Sequence, residues 1–290
     1  MRYLYSRAVY HVAERSASRR SLSTIGKKYD MSIRGLHRGP NRVLGMRGPP
    51  DVCSDPELFG TVLMKCAALI TAGGLGKRMA SHAPKQYLEL NGRPVLAWTI
   101  AAFETHPLIE RIVVTVPPGD EEFCLEKVVR PFGFEKVKEI IAGGDDRQAS
   151  VRHGLENLAG TEFVAVHDGV RPLVSSDTIT RSIEAAEVHG AAVACVPVRE
   201  TVKKQIGPYL QTVSRSDLLF ARTPQTFRTQ LIIDAHRRAL QDRFVGTDDA
   251  VLVERLGWRV VPVEDSDTNI KITTPADLIV AGILLKKERE

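Results

Sequence analysis

Three glycines and three cations lie close together in one stretch of the sequence. The segment TAGGLGKRMASHAPKQYLEL follows directly on the apolar run CAALI and contains, in order, Gly73, Gly74, Gly76, Lys77, Arg78 and Lys85. A glycine-rich turn at the end of a strand lets backbone amides approach an anion closely, and cations behind the turn neutralise its charge. The stretch therefore predicts a phosphate-binding loop.

Two well-known phosphate loops do not fit this stretch. A dinucleotide fingerprint needs a third glycine where this chain has Met79. A Walker A loop needs a glycine at the position of Thr71 and a serine or threonine at the position of Arg78. The loop is therefore of another kind than these two motifs.

Apolar runs alternate with helical segments from residue 65 onward. The runs are CAALI (66–70), RIVVTV (111–116), KEIIA (138–142), FVAVH (163–167), AAVACVPV (191–198), RVVPVE (259–264) and NIKIT (269–273), and helical period appears in PVLAWTIAAFETH, SVRHGLENLAG and SDTITRSIEAAEVHG. Buried strands that alternate with helices are typical of a parallel sheet. The sequence thus predicts an α/β fold, with a Rossmann-like, mostly parallel sheet flanked by helices in a single domain over residues 64–290. Ligands of such sheets bind beyond the carboxyl ends of the strands.

Two local patterns add detail to this fold. The last helix should begin with Thr274 as N-cap, Pro275 at its first position and Asp277 at its third. Residues 198–217 hold two short strand-like pieces around Gly207-Pro208, which predicts a projecting β-hairpin arm. Because an isolated hairpin is marginal in water, we expect the arm to pack on a second subunit.

Composition narrows the class of protein. The four cysteines are scattered without metal-ligand spacing, which predicts reduced thiols. No run approaches the ~18 apolar residues of a membrane span. Of the 40 Lys and Arg, 11 lie in residues 1–63 beside 5 acids, while the rest of the chain is nearly balanced, with 29 against 30. The net charge of +5 therefore gives no argument for a nucleic-acid partner.

The basic segment 1–63 differs in character from the rest of the chain. It is rich in Arg and Ser, and no helical or strand period persists through it. Three interpretations stay open: an organelle transit peptide, which would imply a plastid location instead of the cytoplasm, a disordered tail, or sequence upstream of the true start. Met64, just before the first strand, favours the last of these.

Several further motifs carry a resemblance to a known family. Besides TAGGLGKRM and PKQYLELNGRPVL, they are GGDDRQASV (143–151), VHDGVRP (166–172), VRETVK (198–203), RTPQTF (222–227), TDDAVLVE (247–254) and DTNIKITTPADL (267–278). Together, from about residue 65 to 286, they resemble the 2-C-methyl-D-erythritol 4-phosphate cytidylyltransferase family, within the nucleotidyltransferases that activate sugar and polyol phosphates. The chain departs from the family at Gly73, where alanine is frequent, and in HDGVRP, where HDAARP is usual.

The resemblance implies transfer of CMP from CTP to a polyol phosphate with release of pyrophosphate. The attacking phosphate oxygen is already ionised at neutral pH because its second pKa is about 6. No general base is needed, which agrees with the lack of a Ser-His-Asp or Cys-His arrangement. Charge on the phosphates must instead be neutralised, and the resemblance implies that Arg78, Lys85 and Mg²⁺, or another divalent cation, do this.

The remaining site residues are implied by the same resemblance. On the nucleotide side they are Ala72, Gly73, Gly74, Gly76, Gly144, Asp145, Ser150 and Gly169. On the acceptor side they are Asp168, Arg171, Thr201, Arg215, Lys271 and Thr273, with Arg215 and Lys271 also counted as catalytic. Thr201 and Arg215 would come from the arm of a neighbouring subunit in a homodimer. Asp168 is also a possible metal ligand, and His167 is expected to be a packed histidine.

Two alternatives remain open at this stage. The same chemistry on ribitol 5-phosphate would give CDP-ribitol, and a single methyl group is worth only about 1–3 kcal/mol of discrimination. A catalytically silent nucleotide-binding regulator is the alternative of another class. Retention of the four cations Arg78, Lys85, Arg215 and Lys271 argues against a silent homologue.

Overall fold

Most apolar runs of the sequence form strands. The computed structural model of the chain describes residues 65–74 and 84–287, all within one compact unit. The predictions for residues 1–63, Gly76 and Arg78 fall outside these ranges. In chain order the strands are β1 (Cys66–Thr71), β2 (Glu89–Leu90), β3 (Arg93–Pro94), β4 (Ile109–Val116), β5 (Val137–Ala142), β6 (Phe163–Asp168), β7 (Ala191–Pro197), β8 (Val202–Ile206), β9 (Tyr209–Val213), β10 (Leu219–Arg228) and β11 (Val261–Glu264).

Seven of these strands form the central sheet, in the order β11-β7-β10-β6-β1-β4-β5. Neighbouring strands pair in parallel except β10, which runs antiparallel to both β6 and β7. The prediction of a mostly parallel α/β sheet is therefore confirmed. The central strands β1 and β6 are buried on both faces, which explains their continuous apolar sequences.

Helices cover both faces of this sheet. They are α1 (Val95–Glu104), α2 (Glu121–Cys124), α3 (Arg147–Glu156), α4 (Ser176–His189), α5 (Thr229–Gln241), α6 (Ala250–Arg255) and α7 (Pro275–Lys287). Alternate residues of β1 point to opposite faces, so Ala68 and Ile70 pack with α1 and α4, while Leu69 packs with α3, α5 and α6. None of the helices in the described part of the chain is long and apolar enough to cross a membrane.

The last helix and the hairpin follow the local patterns in the sequence. Thr274 and Asp277 form a reciprocal capping box, in which the backbone N–H of each residue donates to the side chain of the other, at 2.8 and 3.3 Å. Strands β8 and β9 pair antiparallel around Gly207, whose φ of +58° lies in the left-handed region. Both patterns are therefore confirmed.

The predicted strand NIKIT is wrong, and the strand β10 was not predicted. Residues 269–273 form no strand, because the carbonyl of Asn269 accepts from the guanidinium groups of Arg171 and Arg222 instead of from a neighbouring strand. The alternating Ile270 and Ile272 pack into a small core cluster outside the seven-stranded sheet. Strand β10 has no clear sequence signal because Pro224 and polar residues interrupt its apolar pattern.

Candidate active site

A cavity of about 470 Å³ opens at the carboxyl ends of β1, β4, β5 and β6. This volume is within the usual range for small-molecule sites. Its lining combines backbone-rich loops with a few charged groups: Thr71, Ala72, Gly73, Gly74, Lys85, Gln86, Pro117, Pro118, Gly144, Asp145, Asp146, Arg147, Ser150, Asp168, Val170 and Lys271. The location is the one that the parallel sheet predicts for a ligand.

The glycine turn forms one wall of this cavity. The backbone N–H of Ala72 continues the sheet by donating to the carbonyl of Thr115 at 2.7 Å. A side chain at Gly73 would lie 3.1 Å from Ser150 Oγ, so the turn packs closely against the opposite loop. Lys85 begins a short 3-10 helix and lines the same cavity. Among the described residues of this wall, the turn therefore lines the cavity with backbone, and Lys85 lines it with a cationic side chain.

The loop between β5 and α3 forms the opposite wall. Asp146 is the N-cap of α3 and its Oδ1 accepts from the N–H of Ala149 at 2.7 Å. Ser150 Oγ donates to the carbonyl of Asp146 at 2.8 Å and accepts from the N–H of Gly144 at 3.0 Å. A Cβ atom at Gly144 would come within 2.4 Å of Ala149 Cβ. The loop is therefore a tight, internally bonded turn with little freedom to rearrange.

Asp168 lies at the end of β6 and contacts three cations. Its Oδ1 accepts from Arg147 Nε at 3.0 Å, and its Oδ2 lies 3.3 Å from Arg171 Nε and 2.8 Å from Lys271 Nζ. Burial alone would raise the pKa of the Asp168 carboxyl, but the three positive charges outweigh burial and hold that pKa well below its ordinary value. The carboxylate is thus ionised and fixed in orientation at neutral pH.

Buried hydrogen bonds also hold the backbone of Asp168 and the neighbouring His167. Thr223 Oγ1 accepts from the N–H of Asp168 at 3.1 Å and lies 3.0 Å from His167 Nδ1. His167 Nε2 donates to the carbonyl of Arg171 at 3.1 Å. Burial lowers the pKa of His167 to about 4, so its imidazole is neutral at physiological pH. These contacts agree with a packed histidine.

Not every residue implied by the resemblance lines this cavity. Gly169 packs behind the glycine turn, where its N–H donates to the carbonyl of Thr71 at 2.8 Å. Thr273 is engaged with Asp277 through its N–H and its hydroxyl. Thr201 and Arg215 lie exposed at the open end of the β8–β9 hairpin, just before β8 and just after β9. Within one chain, the structure brings together the residues of the turn, the loop and the Asp168 cluster.

Sequence reasoning missed Arg147 and Asp249. Arg147 lines the cavity, donates from Nε to Asp168, and donates from Nη1 to Asp249 Oδ2 at 2.7 Å. Arg147 stands inside GGDDRQASV, and Asp249 stands inside TDDAVLVE. Both motifs are visible in the sequence, but a buried ion pair between residues so far apart along the chain has no local signal.

The cavity offers few carboxylate groups to a metal ion. Its lining contains Asp145, Asp146 and Asp168, of which Asp146 caps a helix and Asp168 is held by cations. Across the described ranges, no group of three or more His, Cys, Asp or Glu side chains is arranged to bind an ion. Such a set fits Mg²⁺ in its usual mode, with one or two carboxylates and the oxygens of a substrate phosphate.

Comparisons with known proteins identify one family. The family model "2-C-methyl-D-erythritol 4-phosphate cytidylyltransferase" matches residues 66–287. Proteins of that name from Syntrophus aciditrophicus and Syntrophotalea carbinolica are 46% and 47% identical to this chain, over 77% of it and 97% of each relative.

Solved structures of the same enzymes share the fold. The structure from Thermus thermophilus is 36% identical, with a TM-score of 0.64, over 77% of this chain and all of that one. The structure of the synthase from Anaerococcus prevotii is 30% identical, with a TM-score of 0.69, over 77% and 97%. The fold is that of a nucleotidyltransferase. More particularly, the chain belongs to the 2-C-methyl-D-erythritol 4-phosphate cytidylyltransferase family.

Proposed function

We propose that the cavity at the carboxyl ends of β1, β4, β5 and β6 is where the chain carries out the reaction of its family. That reaction transfers CMP from CTP to 2-C-methyl-D-erythritol 4-phosphate and gives 4-diphosphocytidyl-2-C-methyl-D-erythritol and pyrophosphate, in non-mevalonate isoprenoid biosynthesis. One observation carries the assignment to this cavity. The glycine turn, Lys85, the Gly144–Ser150 loop and the Asp168–Lys271 pair all line one space.

The chemistry asks for charge neutralisation. An oxygen of the acceptor phosphate attacks the α-phosphorus of CTP, the bond from that phosphorus to the bridging oxygen breaks, and pyrophosphate leaves with the electron pair. Because the attacking oxygen is already ionised, no proton need be removed. Positive groups aimed at the developing charge lower the barrier most. Arg78 and Lys85 take this role here.

The two walls of the cavity bind the nucleotide. Backbone groups of Ala72, Gly73, Gly74 and Gly76 surround the triphosphate and ribose. Gly144, Asp145 and Ser150 read the cytosine base, and Gly169 holds the turn in place behind them. This division is supported by the tight packing of the Gly144 loop, since a rigid loop presents fixed hydrogen-bonding groups to one base.

The Asp168 cluster binds the acceptor. Lys271 and Arg171 attract the phosphate, and Lys271 orients the attacking oxygen. Asp168 accepts hydrogen bonds from polyol hydroxyls while it holds Lys271 in place at 2.8 Å. Thr273 lies two residues after Lys271, and because its hydroxyl donates to Asp277, its oxygen is the atom that accepts from a polyol hydroxyl. A cluster with one carboxylate and three cations carries a net positive charge, which suits an anionic polyol phosphate.

Mg²⁺, or another divalent cation, accompanies the nucleotide. When bound, it neutralises negative charge on the triphosphate. When bound, it would be held mainly by phosphate oxygens, and Asp168 is the carboxylate of the chain that would reach it. The proposal is supported by the carboxylates that line the cavity, since Mg²⁺ is usually bound by one or two carboxylates together with substrate phosphates.

A homodimer completes the acceptor side. The hairpin of β8 and β9 exposes Ile206, Tyr209 and Leu210, an apolar set that a second subunit would cover. Thr201 and Arg215 then reach the acceptor phosphate in the neighbouring site, where a guanidinium can bind a phosphate through two hydrogen bonds. The commonest symmetry of such a pair is two-fold.

Residues 1–63 take no part in the reaction. The family match begins at residue 66. We propose a cytoplasmic location, as for an enzyme that acts on phosphorylated metabolites in bacteria, and a plastid location only if residues 1–63 are a true transit peptide.

A pyrophosphate-release assay tests this function. Purified full-length protein is given CTP, UTP or ATP with either 2-C-methyl-D-erythritol 4-phosphate or ribitol 5-phosphate, with Mg²⁺ and with excess chelator. We expect turnover with CTP, methylerythritol phosphate and Mg²⁺. Equal turnover with UTP or ATP, a preference for ribitol 5-phosphate, or full activity in chelator would contradict the proposal.

A further inference from the structure

A single guanidinium joins the cavity to a carboxylate that does not line it. Arg147 begins α3, and its Nε donates to Asp168 Oδ1 at 3.0 Å. Its Nη1 donates to Asp249 Oδ2 at 2.7 Å. Because the two bonds come from different nitrogens of one rigid plane, the position of Asp249 constrains the position of Asp168 Oδ1.

Asp249 does not make the contact that its place in the fold would favour. It is the N-cap residue of α6, where an aspartate side chain ordinarily accepts a backbone N–H of the first turn. Asp248 accepts that kind of bond instead, from the N–H of Val251, and Gln225 Oε1 takes the N–H groups of residues 249 and 250. The Asp249 carboxylate is 1% exposed, and its oxygens accept from Arg147 and His236.

His236, on α5, is the second residue that contacts the Asp249 carboxylate. Its side chain is 2% exposed, and its Nε2 lies 3.0 Å from Asp249 Oδ1. An ionised carboxylate only accepts hydrogen bonds, so Nε2 is the donor. Although burial alone would raise the pKa of Asp249, Arg147 and His236 hold that pKa below its ordinary value. Asp249 Oδ1 therefore accepts a hydrogen bond from His236, and Oδ2 accepts one from Arg147.

The contacts that begin at His236 lead to Lys271, whose amine is proposed to orient the attacking phosphate. Asp168 Oδ1 is bound by Arg147, while Oδ2 faces Lys271 Nζ at 2.8 Å. If Oδ1 loses its fixed donor, the longer contact of Oδ2 with Arg171 Nε, at 3.3 Å, restrains the carboxylate less well, so it can rotate about its Cβ–Cγ bond and displace Lys271 Nζ. Displacement of reacting groups by about 1 Å costs on the order of 10²-fold in rate.

We propose that His236 and Asp249 are positioning residues for the acceptor side of the reaction, acting through Arg147 and Asp168 on Lys271. This proposal rests on the function assigned to the cavity above. Although Arg147 lies within the Gly144–Ser150 loop, the backbone of that loop is held by hydrogen bonds that do not involve the Arg147 side chain. We therefore expect the cytosine side to be unaffected.

The first test compares two substitutions of one histidine in the full-length protein. His236→Leu removes the donor and keeps most of the volume, whereas His236→Gln can place an amide N–H near the original Nε2. We expect His236→Leu to lower kcat/KM for 2-C-methyl-D-erythritol 4-phosphate by about 10- to 100-fold, with an unchanged KM for CTP. We expect His236→Gln to recover most of that loss.

A matched control separates positioning from stability. His106 is also a buried histidine, and its Nε2 lies 3.2 Å from the carbonyl of Ser176 and 3.0 Å from Thr180 Oγ1, away from Asp168. His106→Leu should lower the free energy of unfolding without changing KM for either substrate. If His236→Leu behaves like His106→Leu, or changes both substrates' constants in parallel, the positioning role is refuted.

A double-mutant cycle with Lys271→Ala gives the decisive readout. If His236 acts through Lys271, the double variant His236→Leu/Lys271→Ala should be no slower than Lys271→Ala alone, whereas independent effects would multiply. Multiplied losses would overturn the proposal. Should His236→Leu not fold, Asp249→Asn carries the same expectations. An inactive wild type would refute the function itself, while an active wild type impaired only by Lys271→Ala would refute only the role of His236 and Asp249.

Discussion

The Asp168 cluster and the β8–β9 hairpin both contribute charged groups to the proposed site, but those of the cluster surround a buried carboxylate, whereas Arg215 beside the hairpin is exposed. Asp168 is buried and contacts three cations of its own chain. Arg215, beside the hairpin, is exposed, and nearly all residues of both hairpin strands are exposed as well. The cluster can therefore be organised before any ligand arrives, whereas the hairpin needs an external surface to hold it.

This difference separates two ways of building a site. Fixed charges in a buried network need little reorganisation when charge develops in a reaction, which is why they stabilise a transition state well. A two-stranded hairpin alone is marginal in water. Its exposed Ile206, Tyr209 and Leu210 gain stability only when covered. We therefore expect the nucleotide side and the Asp168 cluster to be organised within one chain, and the hairpin to complete the acceptor side of a neighbouring chain's site.

The largest expected effect lies at the proposed transition-state cations. Arg78→Ala and Lys85→Ala should each lower kcat by about 10²- to 10³-fold, because the lost contact is made mainly in the transition state. The dissociation constant for CTP should change much less. Steady-state kinetics and equilibrium CTP binding measure the two quantities. Near-normal kcat in either variant would show that its cation has another role.

A smaller effect is expected from the base-reading loop. Gly144→Ala would place a Cβ atom 2.4 Å from Ala149 Cβ, so the loop must shift. We expect KM for CTP to rise roughly tenfold to hundredfold, since a displaced loop no longer meets the base. Gly282→Ala, whose Cβ would meet nothing closer than 3.5 Å, serves as the control. If the two variants have equal KM values for CTP, the Gly144–Ser150 loop does not bind the base.

Acid should weaken the buried cluster. The folded state holds the pKa of Asp168 and of Asp249 below the ordinary value, so the unfolded chain binds more protons once the pH falls toward about 4. The stability that the carboxylates contribute is present above that pH and is lost as pH falls further.

Urea unfolding at a series of pH values measures this loss. Asp168→Asn should be less stable than wild type at neutral pH and should lose less of its stability on acidification. For Arg215→Ala, in the exposed region, the free energy of unfolding should change with pH in parallel with that of wild type. If Asp168→Asn also runs parallel to wild type, Asp168 does not stabilise the fold through its charge.

The smallest effect is expected from removing residues 1–63. The segment shows no core pattern, and the family match begins after it. The shortened protein should keep the kcat, both KM values and the melting temperature of the full-length protein. An insoluble or inactive product would show that the segment contributes to folding or to the site.

Most of the sheet could be predicted because its signals are local. Strands such as β1 and β6 are buried on both faces and read as unbroken apolar runs. The capping box of Thr274 and Asp277 lies within four residues. The family motifs likewise point to the turn and the loop that line the cavity.

The remainder depends on contacts between distant parts of the chain. Arg147 and Asp249 are 102 positions apart, and nothing near either residue shows that they meet. The run 269–273 alternates like a strand, yet the carbonyl of Asn269 accepts from arginine side chains. In both cases a buried polar contact decides the structure, and sequence periodicity reports only apolar packing.

Subunit mixing tests most directly whether the hairpin serves the neighbouring site. Arg215→Ala and Lys85→Ala are two impaired parents, and the test exchanges their subunits in equal amounts. If sites are shared, each mixed dimer has one site with both lesions and one with neither. Random exchange makes half the dimers mixed, so activity should recover to about a quarter of wild type. No recovery, despite demonstrated exchange, would place Arg215 in the site of its own chain and contradict the shared site.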